Sequence, residues 1–246
     1  MLWGGVLAAY ATLWVGGVVV FTFGEHLPPA PGWTAPGFLA LAALLTLRGE
    51  SAVVQMRLLG VGVLGWAVEA VGVHTGFPFG AYSYTQALGP RLLGVPLAIG
   101  TAWMVLVAYA TRLAATLPLP AAARVLVAAG WTTAIDLLLD PVAASLLGFW
   151  RWEGTGWYQG IPASNFAGWL GVSLLACALV LPGRTSAQRE TRVGLSVVTF
   201  FGAIAVGGGA WVPALVGVLL CGAHAALYLF HLSRWRQEPS AGEESS

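Results

Sequence analysis

The chain has 246 residues, of which 58% are apolar and only 9% charged, with a formal net charge of +1. So few charges cannot cover a soluble domain, where roughly 25% of residues are charged, and the apolar excess is the opposite of a disordered composition. A charge this close to zero offers no basic field for nucleic acid. All eleven basic residues are Arg, which excludes Schiff-base and Walker-type lysine chemistry.

A spanning helix needs about 20 mostly apolar residues. The first candidate is Trp3–Phe23, inside a charge-free run from Leu2 that reads as a spanning helix rather than a cleaved signal. Trp33–Leu47, Leu58–Val73, Leu92–Thr111, Val125–Phe149, Phe166–Leu181, Val193–Val206 and Trp211–Leu232 follow. The fold class is therefore all-α, a polytopic membrane bundle of eight spans, or of six or seven if the short second and seventh segments do not cross. It forms one domain over 1–236, with a small polar tail over 237–246 expected to be disordered. Cys177 and Cys221 lie in apolar runs and read as packing residues.

Eight spans put Arg48, Arg57, Arg112, Arg124, Arg184, Arg189, Arg192, Arg234 and Arg236 on one side and leave only Arg91 and Arg151 on the other. This positive-inside bias predicts both termini in the cytoplasm, and the plasma membrane is the expected location. The far side carries two long connections, His74–Arg91 and Trp150–Asn165. Phe77, Phe79, Tyr82 and Tyr84 sit in the first, and Trp150, Trp152, Trp157 and Tyr158 in the second. An interfacial aromatic belt explains Trp and Tyr near helix ends. It does not explain two long segments studded with Gly and Pro, which are expected to cover a site.

Glu69, Asp136 and Asp140 fall inside predicted spans. Each costs about 2.5–3.5 kcal/mol at a helix centre, and Asp136 and Asp140, four apart, share a face. Glu25 is a fourth acid near the same mouth, or a solvated loop charge. Asp136-Leu-Leu-Leu-Asp140 also fits a Mg²⁺ site of the prenyltransferase kind, but no second acidic motif accompanies it. His74 follows the third span by one residue. His224 and His231 lie on the last span, and the histidine clusters of membrane iron oxygenases are absent.

From about Leu64 to Trp169 the sequence resembles the carotenoid 1′,2′-hydratase family of integral-membrane proteins. The resemblance is carried, in order, by Glu69, His74-Thr-Gly-Phe-Pro-Phe-Gly-Ala-Tyr-Ser-Tyr84, Leu88-Gly-Pro, Gly94-Val-Pro-Leu, Asp136, Asp140-Pro141, Trp150-Arg-Trp152, Gly156-Trp-Tyr-Gln-Gly-Ile-Pro162 and Asn165-Phe-Ala-Gly-Trp169. Gln159 stands where a second Tyr is expected.

The resemblance implies addition of water across the terminal C1′–C2′ double bond of an acyclic carotenoid ψ-end, without metal or redox cofactor. Asp136, Asp140 and Glu69 would be the catalytic acids. His74, Phe77, Phe79, Tyr82, Tyr84, Trp150, Trp152, Trp157, Tyr158 and Asn165 would bind substrate. The partners implied are the carotenoid, water, the lipid bilayer and neighbouring enzymes of the pathway. Chemically, the alkene must be protonated at C2′, and the resulting C1′ tertiary cation then captures water. A carboxyl held protonated in a dry site is the available acid, and aromatic faces stabilise the cation.

Glu69 lies one turn, about 6 Å, before the end of its span. It is the acid expected nearest the wet side, and Asp136 the deepest. Proton donation is therefore expected of the Asp136/Asp140 pair and water positioning of Glu69. The rival classes are a Mg²⁺-dependent prenyltransferase, a lycopene cyclase and a proton-coupled transporter.

Overall fold

The computed structural model describes residues 2–24, 32–183 and 191–237. Glu25, Arg184, Arg189 and the tail beyond Gln237 lie outside them. Among the described residues there are eight helices: α1 (Leu2–Phe23), α2 (Thr34–Leu47), α3 (Ala52–Thr75), α4 (Leu97–Ala115), α5 (Ala121–Pro141), α6 (Ala163–Val180), α7 (Thr191–Gly207) and α8 (Trp211–Gln237). All but α2 and α7 are long and apolar enough to cross a membrane; those two have 14 and 17 residues. The chain is an all-α polytopic bundle, and its two short helices are the two segments read as short from the sequence.

Helix α4 is the centre of the bundle. Every residue from Trp103 to Ala114 is buried, and it packs against α2, α3, α5, α6 and α7. Peripheral α1 buries only Tyr10. There the Tyr10 hydroxyl meets Ser196 Oγ at 2.7 Å, and Trp14 Nε1 donates to the Ser196 carbonyl at 2.8 Å, fastening α1 to α7.

At one end of the bundle Glu50 and Arg112 form a 2.7 Å ion pair, both side chains buried. At the same end the guanidinium of Arg48 lies 4.9 Å over the ring of Trp3. The starts of α1 and α3 and the ends of α2 and α4 therefore meet there, as alternating spans require.

At the opposite end the long connections are ordered. Strands β1 (Tyr82–Tyr84) and β4 (Trp150–Trp152) pair antiparallel, Tyr82 opposite Trp152 and Tyr84 opposite Trp150. Because side chains alternate along a strand, both tyrosines and both tryptophans face one way, and Ser83 and Arg151 pair on the outer side.

A second ladder changes one predicted boundary. Span four was expected to begin at Leu92. Instead β2 (Arg91–Leu92) and β3 (Val95–Pro96) form a hairpin, and α4 begins at Leu97. Its two-residue turn, Leu93-Gly94, has φ +49° and +78°, the primed-turn geometry for which Gly is favoured.

The fifth span also differs at its end. Pro141 closes α5, and Val142–Leu146 continue as a π-helical turn. Proline has no N–H to give the carbonyl four residues back, so Leu137 loses its helical donor. The hydroxyl of Tyr158 replaces it at 2.7 Å.

Candidate active site

Beneath the β1–β4 ladder lies a cavity of about 560 Å³. All three intramembrane acids line it, with walls drawn from α1, α2, α4, α5, α6, α7 and both aromatic strands. Glu69, Asp136 and Asp140 are all buried. The lining is otherwise almost wholly apolar or aromatic.

Glu69 sits on a face of α3 flanked by Gly65 and Gly72, four residues before and three after. A Cβ on Gly65 would lie 2.3 Å from Trp103 Cγ, so only glycine lets α4 bring that indole in. Trp103 Nε1 donates to Glu69 Oε1 at 3.3 Å. From the ladder, the hydroxyls of Tyr82 and Tyr84 both donate to Oε2, that of Tyr84 at 2.8 Å. Burial first, and then the neighbouring Glu69 carboxyl, raise both phenols above their ordinary ionisation range, so they remain donors. Trp103 also stacks on Trp169 with ring centroids 4.2 Å apart.

Asp140, in the last turn of α5, receives Trp150 Nε1 at 2.8 Å and Trp152 Nε1 at 2.9 Å on Oδ1. Its Oδ2 accepts from Asn165 Nδ2 at 2.8 Å, and the same nitrogen donates to Asp136 Oδ2 at 2.7 Å. One amide, with two N–H bonds, therefore bridges the two carboxyls. Asp136 Oδ1 is different: it is buried and makes no hydrogen bond. Glu69 and Asp140 thus each have both oxygens engaged by three donors, while Asp136, which also lines the cavity, keeps one buried oxygen without a hydrogen-bond partner among the described residues.

Of the residues singled out from the sequence, Phe79, Tyr82, Tyr84, Trp150, Trp152 and Asn165 line the same cavity as the acids. His74, Phe77, Trp157 and Tyr158 do not. The His74 ring bonds its own helix through Nδ1 to the Ala70 carbonyl at 2.7 Å. Phe77 and Trp157 are each 74% exposed. Tyr158 reaches the wall behind Asp136 through the Leu137 carbonyl, and burial raises its phenol from the ordinary value.

Trp103 and Trp169 also line the cavity, beyond the site residues that the sequence points to. A Trp within an apolar run carries the same sequence signal whether it faces lipid or a pocket. The readable clue was the Gly65–Glu69–Gly72 face, which leaves room beside an acid for a large ring. Among the described residues no three His, Cys, Asp or Glu side chains are grouped to hold a metal ion.

The family model described as "Carotenoid biosynthesis protein" matches residues 33–224. The chain belongs to this family. It is similar to bisanhydrobacterioruberin hydratase of Haloarcula japonica, with 32% identity over 174 residues, covering 63% of this chain and 57% of that protein. It therefore spans little more than half the length of this curated relative. No solved structure matches. The family match takes in α2 to α7 and every acid and aromatic donor of the site, and it begins after α1.

Proposed function

We propose that this member of the carotenoid biosynthesis family is a carotenoid 1′,2′-hydratase, a cofactor-independent hydro-lyase acting on an acyclic ψ-end. The observation that carries the reading is Asp136 Oδ1, a buried carboxyl oxygen without a hydrogen bond at the wall of an apolar, aromatic-lined cavity. A carboxyl that protonates carbon must have an O–H not already given to another acceptor, in a site dry enough to keep the acid neutral until the alkene arrives.

In this reading Asp136 delivers its proton to C2′ and the positive charge appears at C1′. The faces of Trp152, Tyr82 and Tyr84 stabilise the cation, each worth about 2 kcal/mol when desolvated. Water held at Glu69 and its two phenols adds its oxygen to C1′. The proton it releases passes to Glu69 and returns to Asp136 for the next turnover. The product is a tertiary alcohol and the net reaction is the gain of one water. Asp140, held by both tryptophans, fixes the amide of Asn165, and that amide holds one oxygen of Asp136 and leaves the other to carry the proton. The apolar substrate accounts for the placement of the site among membrane helices. The hydratase name of the Haloarcula japonica relative supports the same chemistry.

Expression in a lycopene-producing bacterium tests the reading. Mass analysis should show products heavier than lycopene by one water per hydrated end. Unchanged lycopene beside a folded, membrane-inserted protein rejects it. A cyclic isomer in place of an alcohol identifies a cyclase.

The orientation proposed is termini in the cytoplasm, aromatic ladder outside, in the plasma membrane. Ser83 and Thr155 are exposed at the ladder end. Cysteine placed at either, with Cys177 and Cys221 replaced, should react with an impermeant thiol reagent from outside whole cells. Reaction only from the cytoplasmic face reverses the map.

A further inference from the structure

We infer that the cavity is loaded sideways from the bilayer, through a mouth on the flank of α1, and that Gly16 is the residue that keeps this mouth open to a linear polyene. The inference rests on the polyene reading above and adds the route and the element that controls it.

The cavity is closed where the chemistry is. Its acids are buried, and the β1–β4 ladder covers that end. Among the described residues, its exposed lining residues are Thr12, Gly16 and Phe21, all on α1. Thr12 and Gly16 are one turn apart and share a flank of the helix. The face that fastens α1 to the bundle is a different one, carrying Tyr10 and Trp14. Ala35 and Leu39 of α2 also line the cavity. A polyene dissolved among lipid tails reaches such an edge without crossing the polar surface, and no aqueous route offers that.

The neighbouring glycines separate packing from access. A Cβ on Gly17 would meet Phe200 Cε2 at 2.7 Å, so Gly17 is required by helix contact. A Cβ on Gly16 would meet nothing within 4 Å. No packing contact requires Gly16 to be small, yet it borders the cavity. The match to the family begins at residue 33, so the mouth is built partly from a helix outside that match.

The experiment uses the full chain, purified and reconstituted in lipid nanodiscs, with lycopene supplied in the bilayer. Loading is read from quenching of tryptophan fluorescence by the bound polyene, and hydration is read separately. Gly16→Phe should slow loading tenfold or more, Gly16→Leu less, and Gly5→Phe not at all. Gly5 is on the same helix, equally open to a side chain, and away from the cavity. Thr12→Trp, on the same flank, repeats the block if Gly16→Phe does not accumulate. Loading at the wild-type rate in the Gly16 and Thr12 variants overturns the inference, as does equal slowing by Gly5→Phe. Wild-type protein that loads lycopene without hydrating it leaves the mouth standing and rejects the hydratase reading. Wild-type protein that takes up no lycopene overturns both.

Discussion

The amide of Asn165 holds one oxygen of Asp136 at 2.7 Å and leaves the other without a partner. The two residues come from different helices, α6 and α5, and the amide's second N–H is committed to Asp140. The geometry makes Asp136 and Asp140 unequal although their spacing makes them look like a matched pair.

Asp136→Asn should therefore lower hydration by about 100-fold or more, the usual worth of a positioned general acid, while the protein still inserts and binds polyene. Asp140→Asn should cost less. Its amide nitrogen would face the Asn165 donor, turning that amide and misdirecting Asp136 without removing it. Turnover of both variants, with polyene binding as the control for folding, checks the order. Full activity in Asp136→Asn removes it from the proton step.

Glu69 gives a separable outcome. If it receives the proton released by water, Glu69→Gln should form the cation and then lose a proton from it in place of capturing water. In deuterated water the recovered, unhydrated carotenoid should carry deuterium at its terminal end. A folded Glu69→Gln protein with neither product nor deuterium would make Glu69 the acid.

Gly65→Ala tests how the acid's surroundings are packed. The added methyl would lie 2.3 Å from Cγ and 2.8 Å from Cβ of Trp103, the stiff root of that side chain, so α3 and α4 must part. Overpacking of this kind costs about 1–3 kcal/mol. Thermal unfolding in detergent should show a lowered Tm, with activity falling as Trp103 leaves Glu69. Gly130→Ala, where a Cβ meets nothing within 4 Å, should leave Tm unchanged or raise it.

The two phenols of β1 predict an alkaline signature. Their ionisation is pushed up by burial first and by Glu69 next. Near pH 10 a tyrosine in the unfolded chain loses its proton while these two keep theirs, so stability falls as pH rises past the unfolded value. In the folded protein, ultraviolet titration through pH 10 should show the same tyrosinate signal for wild type and for Tyr82→Phe/Tyr84→Phe. A smaller signal in the variant would show that these phenols ionise normally.

Much of the architecture was legible because a membrane span is written as an uninterrupted apolar run. The exceptions fall where a local rule competes with hydropathy. Leu92 to Pro96 are apolar enough to extend a span, but Leu93-Gly94 turns the chain back first. The acids were legible as ionisable residues inside spans. Their partners were legible only in part. Tyr82-Ser-Tyr84 and Trp150-Arg-Trp152 alternate with the period of a strand, yet three residues are too few to establish one, and pairing across 68 positions leaves no local mark. The Tyr158 contact depends on a carbonyl that Pro141 releases, so the residue that needs the hydroxyl is not the one that bonds it.

Each acid's donors lie downstream of it in the chain. Glu69 takes them from Tyr82, Tyr84 and Trp103, and the Asp136/Asp140 pair from Trp150, Trp152 and Asn165. Synthesis from the N-terminus therefore delivers every carboxyl to the translocon before any group that will bond it. The third helix therefore enters with Glu69 unpaired until the start of the fourth has emerged, and the fifth enters with Asp136 unpaired until the start of the sixth brings Asn165. A nascent chain stalled before Asn165 would hold Glu69 and Asp140 by donors already made and leave Asp136 alone without one.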